Sequence, residues 1–239
     1  MKYIYGPVNS RRLGSSLGIS LTSYKICDFD CIYCQLGKTH TLTGERKEYV
    51  KVDDIIEELK RWLKDNPEVA GSSQYITISG LGEPTLNTKI GEVINRIKTV
   101  TNIPLAVITN ASKLSDLNIR ASLMRADLIV PSLDAVVQKV FAKIDRPEQN
   151  IKIEQIINGL IALRKEFRGK IWLEVMLVRG VNDDIRYIKK LNKVIEQINP
   201  NKIHLNSPVR TTSEPDIEPV DKNKLNKIKE ILGDKCEIL

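Results

Sequence analysis

The chain has 239 residues, four cysteines and a formal net charge of +7. A chain of this length buries most of its apolar surface without disulfides, and four cysteines are too few for a disulfide scaffold. There is no run of about 18 apolar residues and no apolar core of a secretory signal, so we expect a cytoplasmic protein with no membrane partner. The positive charge favours anionic partners but does not by itself indicate nucleic-acid binding.

Six short apolar or alternating runs predict β-strands, at residues 17–23, 75–80, 104–110, 126–134, 170–178 and 202–208. Stretches with apolar residues three and four positions apart predict helices at 55–63, 90–97, 114–123, 153–161, 185–198 and 225–231. This alternation predicts parallel strands joined by right-handed crossovers in a single α/β domain over residues 1–239. Six units are fewer than the eight of a closed barrel, which leaves a partial barrel or an open doubly wound sheet.

The run "CDFDCIYC" lies in a loop, residues 24–40, after the first predicted strand. Cys27, Cys31 and Cys34 could bind three irons of a [4Fe-4S] cube and leave the fourth iron open to another ligand. A zinc site would be expected to have four ligands, and the nearest histidine, His40, is six residues beyond Cys34. We expect Cys236 to be a small apolar residue on a last short strand.

Polar and glycine residues follow the next three predicted strands, where α/β proteins have their active sites. In "SGLGEP", Gly80 and Gly82 would let a ligand approach the backbone, and Glu83 could pair with an ammonium group. An ordinary tight turn is the alternative interpretation of this segment. The other strand-end residues could bind a ligand or cap the following helices, and they are Thr109, Asn110, Ser132 and Asp134.

The CxxxCxxC spacing after the first of six β/α units resembles the radical S-adenosylmethionine (SAM) superfamily. The segments "GPVNSRRLGSSLGISL", "SGLGEPTL", "VITN", "SLDA" and "LNSPVR" are similar to iron–sulfur oxidoreductases related to the tRNA wyosine-synthesis enzyme, from about residue 6 to 232. The resemblance implies a partial (β/α)6 barrel, a [4Fe-4S] cluster and bound SAM. It also implies that the glycine-rich backbone meets the SAM amino group and that Tyr33 lies near the adenine. The four strand-end residues would contact the ribose and carboxylate.

This resemblance implies that the reduced cluster cleaves SAM to methionine and a 5′-deoxyadenosyl radical, which abstracts hydrogen from substrate. A one-electron reductant such as ferredoxin or flavodoxin would be a partner. Unlike the wyosine-synthesis enzymes, this chain has no cysteine set before Cys27, so its substrate is expected to differ.

Four arginines bear on the substrate. Arg11 and Arg12 precede the first predicted strand, and Arg179 and Arg210 follow the fifth and sixth. Arginine suits bidentate contact with carboxylate or phosphate, so we expect an anionic small metabolite or an RNA base. Solvated loop charges are the alternative. Two other functions also stay open: an activase for a glycyl-radical partner enzyme, and an iron–sulfur electron carrier, which would not need the glycine-rich segment.

Overall fold

The computed structural model describes all of residues 1–239. Its strands are β1 (Ile4–Ser10), β2 (Gly14–Ser20), β3 (Ile26–Cys27), β4 (Thr41–Leu42), β5 (Tyr75–Ser79), β6 (Leu105–Thr109), β7 (Leu128–Pro131), β8 (Lys170–Met176), β9 (Lys202–Asn206) and β10 (Cys236–Ile238). Its helices are α1 (Val52–Asp65), α2 (Pro67–Ser72), α3 (Ile90–Val100), α4 (Leu117–Leu123), α5 (Gln138–Ile144), α6 (Ile153–Glu166), α7 (Ile185–Ile198) and α8 (Lys222–Leu232). None of these helices is both long and apolar enough to span a bilayer.

Eight strands form one sheet in the order β1-β2-β5-β6-β7-β8-β9-β10. Every neighbouring pair is parallel except the antiparallel hairpin of β1 and β2. The six predicted strands are β2 and β5 to β9, so the predicted α/β class is confirmed. The two edge strands, β1 and β10, do not pair with each other, so the sheet does not close. Residues 8–10 of β1 and Leu239, which follows β10, nevertheless line the same cavity. The sheet is therefore curved into a partial barrel.

Amphipathic helices cover the outer face of this sheet. Helix α7, for example, buries Ile188, Leu191, Ile195 and Ile198, whose spacing of three and four residues gives one apolar face. The predicted third helix begins later than residue 114. Asp116 accepts a hydrogen bond from the backbone N–H of Asn118 and so starts α4 at Leu117.

Apolar side chains fill the inside of the curved sheet at the end where the parallel strands begin. Leu13, in the turn between β1 and β2, packs with Ala106, Leu128 and Val130 in an apolar cluster separate from the main core. The opposite end, where the parallel strands finish, carries the loops with the cysteine and glycine motifs. The motifs that the sequence singles out therefore lie together at the end where α/β proteins have their active sites.

Several short elements are absent from the sequence prediction. Strand β1 is almost entirely exposed, so no apolar alternation marks it, and its pairing with β2 is set by the backbone. Helices α2 and α5 have six and seven residues, too few for a clear helical period. Cys236 is buried in β10, the expected last short strand.

Candidate functional site

The cysteine loop is fixed by residues far away in the sequence. Cys27 ends β3, which pairs with β4 at the far side of the loop. The backbone N–H of Ile32 donates to the carbonyl of Ile144 at 2.9 Å, which fixes the loop to the end of α5. The hydroxyl of Ser213 donates to the carbonyl of Cys31 at 2.7 Å. The loop is thus held from two sides before any ligand binds.

Each cysteine sulfur has a different polar neighbour. The Cys27 Sγ accepts a hydrogen bond from the backbone N–H of Phe29 at 3.4 Å, and the Cys31 Sγ donates to Asp145 at 3.4 Å. The Cys34 Sγ lies 3.1 Å from the ammonium of Lys25. Burial raises the pKa of the Cys27 and Cys31 thiols, so loading a metal must displace their protons.

The number of cysteines in the loop bears on the metal group that it could hold. No three His, Cys, Asp or Glu side chains in the protein come together closely enough to hold one metal ion. A structural zinc site requires four ligands around one ion, whereas a [4Fe-4S] cube takes one thiolate on each of three separate irons. Three cysteines therefore match a cube with one iron left open better than they match a structural zinc site.

The glycine-rich segment after β5 is joined to the cysteine loop. Ile26 and Gly82 form a parallel bridge, and the backbone N–H of Glu83 donates to the carbonyl of Ile26 at 3.0 Å. A Cβ on Gly82 would lie only 1.7 Å from that carbonyl oxygen, and the φ of Gly82 is +125°. Only glycine fits this crossing, so the cysteine loop and the glycine-rich segment form one structural unit.

The Glu83 carboxylate is buried and accepts hydrogen bonds from three residues of the protein. Its Oε1 accepts from the hydroxyls of Thr85 and Thr109, each at 2.6 Å, and its Oε2 accepts from the backbone N–H of Asn110 at 2.7 Å. Burial, together with the nearby carboxylate of Asp28, raises the pKa of Glu83 to about 7, against the effect of these hydrogen bonds. The side chain thus fixes the segment to the end of β6.

A second buried carboxylate, Asp28, organises the other side of the loop. It accepts hydrogen bonds from the Asn110 side-chain amide at 2.7 Å and from the Ser112 hydroxyl at 2.6 Å. The ammonium of Lys113 lies 3.2 Å away and compensates its charge. Asn110 therefore connects β6 to the cysteine loop through its side chain and to Glu83 through its backbone.

The hydroxyl of Tyr33 faces two buried carboxyl groups, those of Asp134 and Asp145. Its hydroxyl contacts Asp134 and lies 3.4 Å from Asp145, while Asp134 also accepts a hydrogen bond from the backbone N–H of Met176 at 2.7 Å. Burial raises the pKa of Asp134 to about 7, and burial with the adjacent Asp134 raises the pKa of Asp145 as well. Two adjacent buried acids with raised pKa values favour sharing a proton over carrying two charges.

One cavity of about 640 Å³ brings most of the expected site residues together. Its walls include Cys27, Cys31, Cys34, Gly80, Gly82, Glu83, Thr109, Asn110 and Ser132. Tyr33 and Asp134 instead line a small neighbouring cavity, which also includes Ser132 and Asn110. The volume of the larger cavity lies within the usual range of about 300–1,000 Å³ for small-molecule sites.

A further cavity, of about 120 Å³, lies inside the curved sheet and includes three of the four expected arginines. They are Arg11, Arg12 and Arg210, and we call this space the arginine cavity; both Arg12 and Gln35 also line the larger cavity. Arg12 forms an ion pair with Glu174. The structure does not bring Arg179 to this cavity; that side chain is exposed and pairs with Glu218 at 2.8 Å.

Several residues that shape the site are not predicted from the sequence. Glu174 is an acid within a predicted buried strand, and that position alone could have marked it as facing a polar interior. It accepts a hydrogen bond from the side-chain amide of Asn206 at 2.7 Å. Lys25 lies two residues before the first cysteine, and a cation so close to the cysteines in the sequence could have marked it as a residue of the site. Asp145 has no such signal, because only the fold brings it to Cys31.

Two curated proteins are similar to nearly the whole of this chain. A protein of Brachyspira hyodysenteriae named GTPase Obg is 38% identical over 237 residues, which are 99% of this chain and 34% of that protein. A UPF0026 protein of Methanocaldococcus jannaschii is 34% identical over 235 residues, 98% of this chain and 72% of the relative. The chain therefore spans about a third of the first relative and nearly three quarters of the second.

Solved structures share the fold at low sequence identity. A radical SAM methyltransferase from Sphaerobacter thermophilus has a TM-score of 0.71 and 17% identity, and the match covers 94% of this chain and 65% of that one. Archaeal TYW1 has a TM-score of 0.61 and 17% identity, with 92% and 72% covered. These likenesses confirm the predicted partial barrel.

Residues 21–191 match the family model described as Radical SAM superfamily. The chain belongs to the radical SAM superfamily, as the spacing of its cysteines predicts.

Proposed function

We propose that the protein is an enzyme that holds a [4Fe-4S] cluster on Cys27, Cys31 and Cys34, binds SAM beside it and abstracts hydrogen from an anionic substrate. The observation that carries this proposal is the cavity of about 640 Å³ that these cysteines line together with the glycine-rich segment. When bound, the two cofactors would supply a one-electron cleavage of SAM to methionine and a 5′-deoxyadenosyl radical.

The side chains and backbone around this cavity would bind and orient the cofactors. Cys27, Cys31 and Cys34 would hold the cluster, and the iron without a protein ligand would be left for SAM. The backbone around Gly80 and Gly82 lines the adjoining wall without side chains, so a ligand can come close to it. Ser132 also lines the wall, and its hydroxyl has no hydrogen bond within the protein that would compete with a ligand.

The arginine cavity supports an anionic substrate, either a small metabolite or an RNA base. Arg11 and Arg210 line it together with Arg12, whose charge is balanced by Glu174. Because Arg12 and Gln35 belong to the walls of both cavities, a substrate held there would lie beside SAM. A one-electron carrier such as ferredoxin or flavodoxin would supply the electron.

Two measurements test the proposal. Anaerobic reconstitution should give about four irons and four sulfides per chain, and Cys27→Ala, Cys31→Ala or Cys34→Ala should abolish this while Cys236→Ala retains it. The dithionite-reduced protein should then convert SAM slowly to 5′-deoxyadenosine. Stoichiometric zinc without iron in protein purified under strictly anaerobic conditions would contradict the cluster. A reducible cluster that neither binds nor cleaves SAM would favour the electron carrier.

A further inference from the structure

Lys25 is distinguished by its contact with a cysteine sulfur. The Cys27 sulfur accepts from neutral N–H groups and the Cys31 sulfur faces a carboxyl group, but the Cys34 sulfur lies 3.1 Å from the Lys25 ammonium. Of the three sulfurs in the cavity, only this one has a cationic hydrogen-bond donor.

The Lys25 ammonium is fixed in position and its charge is not neutralised by an acid. It also donates to the carbonyl of Gly37, in the turn that follows Cys34, where the backbone N–H of Gly37 donates to the carbonyl of Cys34 at 3.2 Å. Lys25 forms no ion pair with any carboxylate of the protein. It is half-buried and lines the same cavity as the cysteines, so solvent screens its charge only in part.

We propose that Lys25 is a positioning residue that makes the cluster easier to reduce, by holding a positive charge against the Cys34 sulfur. This inference rests on the cluster of the proposed function. Reduction adds one negative charge to the cluster, and the potential of an iron–sulfur cluster depends on the charge and hydrogen bonds at its sulfurs. An ammonium at that distance stabilises the reduced form more than the oxidised form, because the reduced form is more negative.

The test is a redox titration of reconstituted full-length protein, without SAM or substrate, monitored by the EPR signal of the reduced cluster. Lys25→Met should make the cluster about tenfold harder to reduce, which for one electron is a midpoint about 59 mV more negative. Lys25→Arg should keep the wild-type midpoint. Lys38→Met is the matched control, because Lys38 is exposed in the same loop and contacts no cysteine sulfur; its midpoint should not change.

A Lys25→Met protein with full iron content and the wild-type midpoint potential would overturn the inference. Lys25 would then only hold the loop through its hydrogen bond to the carbonyl of Gly37. An equal shift of the midpoint potential in Lys38→Met would also overturn it, because the potential would then depend on the net charge of the protein and not on the contact with Cys34. If Lys25→Met loses iron, Lys25→Gln decides by the same criterion, since it keeps an N–H donor but loses the charge. A wild-type protein that assembles no cluster would instead refute the proposed function, and this inference with it.

Discussion

Thr109 donates its hydroxyl hydrogen to Glu83 at 2.6 Å and thereby joins the end of β6 to the glycine-rich segment after β5. The sequence suggests that the Glu83 carboxylate could pair with an ammonium of a ligand. In the structure this carboxylate accepts four hydrogen bonds from the protein itself, three of them to Oε1. Its first effect is therefore to fix the shape of the cavity wall.

Replacing Glu83 by Gln should destabilise the protein and weaken SAM binding. All four protein groups that contact the carboxylate are donors, so the N–H₂ group of a glutamine would face at least one of them. Leaving buried donors unsatisfied costs about 1–3 kcal/mol in the free energy of unfolding. Urea unfolding and equilibrium dialysis with SAM measure the two effects. Thr109→Ser is the control, because it keeps the hydroxyl; an unchanged urea midpoint in Glu83→Gln would contradict the prediction.

Gly82→Ala should separate the glycine-rich segment from the cysteine loop. The new Cβ would lie 1.7 Å from the Ile26 carbonyl oxygen, and because that neighbour is backbone, the strand bridge must open. We expect reduced SAM binding, measured by equilibrium dialysis, and a loss of stability of several kcal/mol in urea unfolding, on the order of that for a strained core substitution.

Gly71→Ala in α2 is the matched control for that experiment, because a Cβ added to Gly71 would have no other atom within 4 Å and the φ of this residue is not in the left-handed region. Replacing a helical glycine by alanine should raise the free energy of unfolding by about 0.5–1 kcal/mol. If Gly82→Ala were as stable as Gly71→Ala, the bridge between Ile26 and Gly82 would contribute nothing to the stability of the fold.

The buried ring of His204 should contribute stability that is lost as the pH becomes acidic. The raised pKa values of Glu83 and Asp134 act in the opposite direction, so the contribution of His204 is measured as a difference between wild type and a His204 variant. Burial lowers the pKa of His204 below its ordinary value of 6.5, so the folded protein holds the ring neutral while the unfolded chain takes up a proton. The contribution to stability is therefore present above pH 6.5 and is lost as the pH falls through the lowered pKa of the folded state.

Urea unfolding between about pH 7 and pH 5 measures this dependence. His204→Phe keeps a ring that can pack edge-on against Trp172, which lies 5.3 Å away between ring centroids. As the pH is lowered, the free energy of unfolding of this variant should fall less, or rise more, than that of the wild type. His40→Gln should leave it unchanged, because His40 is exposed. An identical pH dependence in wild type and His204→Phe would rule out this histidine as its source.

Arg210→Ala should weaken substrate recognition while Arg179→Ala should not. Arg210 and Arg11 are exposed but line the arginine cavity, whereas Arg179 lies away from it and pairs with Glu218. Loss of a charged hydrogen-bonding contact should weaken substrate affinity by about tenfold or more. The readout is the stimulation of SAM cleavage by an anaerobic small-molecule cell extract, with uncoupled cleavage unchanged in both variants. Equal loss of stimulation in the two variants would contradict the assignment of the cavity.

The sequence predicts the parts of this protein that depend on local patterns. The cysteine spacing, the glycines after β5 and the six inner strands are all visible as short motifs. Asp145 and Ser213 are different, because their roles arise only when distant segments meet the cysteine loop. The rule that residues after a strand face the active site also does not fix the path of a loop. It therefore cannot separate Arg210, which lines the arginine cavity, from Arg179, which does not.

The bond from Ser213 to the carbonyl of Cys31 has a consequence for the order of biosynthesis. The cysteines are made early, but 182 residues separate Cys31 from the hydroxyl that holds its backbone, and the N–H of Glu214 must also reach the carbonyl of Ile32. Synthesis proceeds from the N-terminus, so a nascent chain presents three unorganised thiols until this segment has emerged. If the chain holds the proposed cluster, we therefore expect it to be inserted only after synthesis has passed Glu214.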